Sequence, residues 1–89
     1  MENPWPKTLP EAVKVCLLTL NMEEKVAIKN TLEKDLFRFH FSLALNIRNQ
    51  FGLWQGNNDL IQSCLAFDPD HASMVIVRAV WGELNKDNG

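Results

Sequence analysis

Apolar residues recur at helical spacing through most of the sequence, interrupted at intervals by residues that start or stop helices. Leu9, Val13, Cys16, Leu17 and Leu20 form the first such stripe. Thr8-Leu9-Pro10-Glu11 precedes it as a capping box: the threonine oxygen takes a backbone N–H, and the glutamate three residues on reaches back. Pro10 falls in the first turn, where its missing N–H costs nothing. A first helix is predicted to about Leu20. Asn21 then caps a short second helix, with Glu23 and Glu24 at its positive end and a stop near Asn30.

The third predicted helix is the longest, about Leu32 to Gln50, with Thr31 as its cap. Placed at about 100° per residue, Leu36, Phe37, Phe39, Phe41, Leu43, Ala44, Leu45 and Ile47 cover most of its circumference. Arg38, Ser42, Asn46 and Asn49 leave only a narrow polar strip. A helix apolar nearly all round is a buried one, so this element is expected at the centre with the others wrapped about it. Gly52 is a left-handed stop, and the loop 53–58 carries a further glycine and two asparagines. Asn57 or Asn58 caps a short fourth helix through Leu60, Ile61, Cys64 and Leu65. Asp68-Pro69 opens a fifth helix that runs to about Asn85, with Phe67 and Ala72 placed for a hydrophobic staple. Its core face is Ala72, Val75, Ile76, Ala79 and Val80. No strand pattern and no internal repeat appear. The expected fold is all-α, a small bundle of about five helices around a buried third helix. It forms one domain over residues 1–89, with 1–6 as an extended arm, 7–85 as the ordered core and 86–89 as a frayed tail.

Composition narrows the function classes more than it selects among them. The chain has 89 residues, 46% of them hydrophobic, which suits one small globular domain. Its apolar runs fall far short of the roughly 20 residues of a membrane span. Residues 1–6 lack the basic region and apolar stretch of a signal peptide. A cytoplasmic protein without membrane contact is expected. Nine basic and eleven acidic residues give a net charge of −2, spread evenly, with no basic stripe for phosphates. Nucleic acid is therefore not an expected partner. Cys16 and Cys64 sit far apart among apolar neighbours and read as buried free thiols.

The strings Leu36-Phe37-Arg38-Phe39-His40-Phe41-Ser42-Leu43 and Ile47-Arg48-Asn49-Gln50-Phe51-Gly52-Leu53-Trp54, followed by Gly56-Asn57, resemble a family of small bacterial proteins catalogued as a domain of unknown function. Trp5-Pro6, Glu11-Ala12-Val13, Asp70-His71-Ala72-Ser73 and Ala79-Val80-Trp81 also fit. The resemblance spans most of the chain, and I-R-N-x-F-G-L-W is its specific part. His71 departs from it, standing where an acidic residue is expected, as does Phe39, where relatives read leucine. The resemblance implies no activity, cofactor or partner.

Two groups of residues invite a function. The first is polar: His40, Arg48, Asn49, Trp54 and Asn57. Arg48 lies near the apolar side of the third helix, so its guanidinium needs a partner. In one reading it bonds loop carbonyls or pairs with Asp59, Asp68 or Asp70, with Trp54 as a core plug and His40 a core histidine bonded to a carbonyl or carboxylate. In the other these residues form a small anion-binding pocket. The second group is Met74, Val77 and Trp81, a second apolar face of the fifth helix. Either the Trp5 segment covers it or another chain does, as a homodimer or a foreign protein. No spacing among His40, His71, Cys16 and Cys64 matches a metal site, and the paired acids at helix starts are explained by capping. No catalytic set and no cofactor are expected. The favoured reading is a non-enzymatic protein-interaction module.

Overall fold

The computed structural model describes residues 5–86. Residues 1–4 and 87–89, most of the expected arm and tail, lie outside that range. The described chain is all-helical: α1 (Leu9–Thr19), α2 (Met22–Lys29), a 3₁₀ segment (Glu33–Phe39), α3 (Leu43–Gln50), a second, three-residue 3₁₀ turn (Leu53–Gln55), α4 (Asn58–Ser63) and α5 (Pro69–Asn85). No strand occurs among the described residues.

Most helix starts form through the residues whose side chains suit them. Thr8 accepts the N–H of Glu11, while the glutamate carboxylate meets the Thr8 hydroxyl at 3.2 Å rather than the cap's backbone. Asn21 and Glu24 make the full reciprocal box at α2. Asn57 caps α4 and Asp68 caps α5, with Pro69 at the first helical position. Gly52 is left-handed, at φ 69°. The end of α4 is a Schellman turn in which the N–H of Leu65 reaches Gln62 and that of Ala66 reaches Ile61. Its left-handed position, usually glycine, is Leu65 at φ 55°. Phe67 does not staple onto Ala72. It is 92% exposed, and its ring lies 5.7 Å from that of His71.

The expected central third helix is corrected. Residues 32–50 do not form one helix: the 3₁₀ segment gives way to a turn at 40–42, where Ser42 adopts φ −123°, ψ −94°. Thr31 is no cap either; its hydroxyl donates back to the carbonyl of Ala27. The hub is instead α5, which packs against every other helical element. Its Ala72, Ser73, Ile76, Val77 and Val80 are fully enclosed. Around them gather Ala12 and Cys16 of α1, Ala44 and Ile47 of α3, Phe51, Leu53, Leu60 and Cys64.

Polar side chains of one element hold the backbone of another, because short helices leave many carbonyls and N–H groups without partners. Ser63 accepts the N–H of Leu9 at 2.7 Å. Asn57 donates its amide to the carbonyls of Pro6 (2.9 Å) and Phe51 (2.7 Å). Trp81 donates its indole N–H to Thr31 at 2.7 Å, and Asn85 reaches Lys29 at 3.4 Å.

Candidate functional site

The break at 40–42 builds the most distinctive region of the surface. An interrupted helix frees carbonyls that its next turn would have bonded. The freed carbonyl of His40 accepts from Nη2 of Arg48 at 3.1 Å. Nη1 of the same guanidinium donates to Oγ of Ser73 at 3.0 Å, and Ser73 in turn donates to the carbonyl of Asp70 at 2.8 Å. Nε of Arg48 lies 3.4 Å from the Asp70 carboxylate, an ion pair without hydrogen-bond alignment. One buried arginine therefore ties the turn at His40 to the first turn of α5. The planar fork suits this task, since it serves several directions at once.

Aromatic rings surround this tie and face outward. The His40 imidazole stacks on Phe37, with centroids 4.9 Å apart, and meets Phe41 edge-on at 4.7 Å. Its Nδ1 is buried without a hydrogen-bond partner. Phe37 is 66% exposed and Phe41 78%. Trp54 lies over the Arg48 guanidinium at 5.8 Å and is 55% exposed. Large exposed aromatics gathered at one site are uncommon on a small monomer and mark binding surfaces.

The polar residues singled out from the sequence thus separate. His40, Arg48 and Trp54 meet at this junction. Asn57 stands apart, capping α4 and holding Pro6 and Phe51, and Asn49 is exposed on α3. Each nitrogen of Arg48 faces a protein oxygen, so the guanidinium points into the fold rather than into a pocket. Trp54 is a platform on the outside, not a core plug, and His40 holds its ring by stacking rather than by a bonded imidazole.

The Met74, Val77 and Trp81 face also resolves differently from its expectation. Val77 is fully enclosed in the core, which removes it from any outer surface. Met74 is half-buried against the core, and half-buried Trp81 is held through Thr31 by the α2 end. Among the described residues of the N-terminal segment, the Trp5 indole packs on Gly52, where a Cβ would collide with the ring.

Phe37 and Phe41 escaped the sequence reading as surface residues. On a helical wheel of about 100° per residue they fall within roughly 40° of each other, with Arg48 between them. The break divides that sector: Phe37 and Phe41 before α3 are exposed, while Ala44 and Arg48 within it are buried.

A cleft of about 310 Å³ lies elsewhere, between α1, α2 and the α3 side, bordered by Thr19, Glu24, Ile28, Phe39 and Asn46. Among the described residues no group of His, Cys, Asp or Glu converges as a metal site, and no helix is long and apolar enough to cross a membrane.

A family described as a domain of unknown function (DUF6794) matches residues 5–84, and the chain belongs to it. No curated protein and no solved structure matches.

Proposed function

We propose that this member of a family of unknown function is a non-enzymatic protein-interaction module, and that the aromatic surface of Phe37, Phe41 and Trp54 around the Arg48 junction is its binding face. The observation that carries the reading is the exposure of those three rings on a backbone fixed by a buried arginine. Rigid aromatic side chains supply contact area at little entropic cost, and they recur at the energetic centres of protein interfaces. The segment beneath them carries Glu33, Lys34, Asp35 and Arg38, two acids and two bases. A membrane-seeking surface favours an excess of bases; mixed charge suits the polar rim of a protein contact. Two buried free thiols, Cys16 and Cys64, support a cytoplasmic setting, where thiols stay reduced.

The test compares the wild-type chain with a Phe37→Ser/Phe41→Ser variant as bait in host extract, read by mass spectrometry. Proteins retained by wild type and lost with a still-folded variant would support the reading. Identical retention by both would refute this face as the interface.

A further inference from the structure

A second open surface shares no lining residue with the aromatic junction. It is a groove of about 530 Å³ between α1 and α5. Leu9, Val13, Leu17 and the largely exposed Leu18 form its α1 wall, and the small Ala79 makes the α5 wall low. Each wall carries one charge: Lys14 on α1 and Glu83 on α5. No ion pair of Lys14 occurs among the described residues. Glu83 holds Lys86 through Oε1 at 2.6 Å, an exposed pair three residues apart of the kind that contributes little. A carboxylate accepts at both oxygens, so this pairing leaves Glu83 able to take a further donor.

We propose that this groove is the contact face of a symmetric dimer of the chain, distinct from the aromatic surface. A twofold axis running along the groove lays the α1 wall of each protomer on the α5 wall of the other. Lys14 then faces the partner's Glu83, and the pairing occurs twice. A foreign helix would have to bring the inverse charge pair; a second copy supplies it by symmetry. That self-complementarity, with the apolar floor, selects this chain as the occupant.

Sedimentation of the full chain over a concentration series tests this, using Lys14→Glu, Glu83→Lys and the combined exchange. Both positions are exposed, so circular dichroism should show all variants folded. Wild type is expected to sediment at twice its 10.2 kDa chain mass. Each single reversal, which sets like charges together, should weaken association by about tenfold or more. The double exchange should recover most of that loss. A wild type that stays monomeric at every concentration overturns the proposal, including when the groove captures some other protein instead. So does a dimer indifferent to the single reversals, or a double exchange that dissociates as readily as either single.

Discussion

Replacing Arg48 with alanine removes the tie between the broken helix and α5. The His40 carbonyl and Ser73 Oγ each lose a donor, at 3.1 and 3.0 Å, and neither gains a replacement. A hydrogen bond from a charged donor contributes about 1.5–3 kcal/mol net. The ion pair adds at most about 1 kcal/mol, because Asp70 is 57% exposed. Removing the guanidinium also removes its own desolvation penalty, which offsets part of the loss. The expected destabilisation is about 3 kcal/mol, a large share of the roughly 4–13 kcal/mol typical for a domain of this size. Arg48→Lys keeps the charge but cannot serve three directions, and should lose about 1–2 kcal/mol. Asp70→Asn should lose less than about 1 kcal/mol. Urea unfolding followed by circular dichroism, with unchanged m-values, gives all three. If Arg48→Ala lies within about 0.5 kcal/mol of wild type, a margin ordinary for unengaged surface positions, or if Asp70→Asn is as damaging, the junction does not hold the fold as described.

Gly52→Ala should destabilise the chain by at least ~2 kcal/mol, since φ is 69° and the new methyl would strike the Trp5 indole; Gly56→Ala, in open space at φ 94°, should lose only about half as much. Equal losses at the two glycines would argue that Trp5 does not pack there. Leu65→Gly should raise stability by about 1 kcal/mol, because it relieves a left-handed, exposed leucine; a loss in the same urea assay would contradict this. Burial pushes the thiols of Cys16 and Cys64 up from 9.0 to about 11. In that interval the unfolded chain has released thiol protons that the native one keeps, so their contribution, complete below pH 9.0, is lost as pH rises towards about 11. Urea midpoints should fall more steeply across this window for wild type than for Cys16→Ala/Cys64→Ala, and parallel curves would refute it.

Local chemistry in the sequence located the helices well wherever a single side chain sets the backbone. Asn21, Asn57 and Asp68 act as caps and Gly52 as a stop, because each decision involves only a few neighbouring atoms. The break at 40–42 escaped because it carries no glycine or proline. It depends on Arg48, eight residues later, satisfying the freed carbonyl of His40, and on Ser73 and Asp70 from another helix. Apolar residues on every side also have two solutions: enclosure of one long helix, or a break that buries Leu36 and Ile47 while turning Phe37 and Phe41 outward. Only the demand of α5 for cover decides between them. Similarly, Val77 looked like part of a second face because the sequence does not reveal that α5 is surrounded. The candidate site is legible in part: the need of a buried Arg48 for a backbone carbonyl or an aspartate follows from its place in the sequence, and the His40 carbonyl and Asp70 meet it, whereas the exposure of Trp54 and the unbonded ring of His40 do not follow from spacing alone.

The exposure of Phe37 and Phe41 is what separates a chain with a binding face from one with a fully enclosed third helix. Solution NMR with a soluble paramagnetic agent measures it directly. The account requires strong broadening of the ring signals of Phe37 and Phe41, with Leu36, Phe51 and Ile76 protected in the same sample. Phenylalanine rings at 37 and 41 as protected as Phe51 would contradict it.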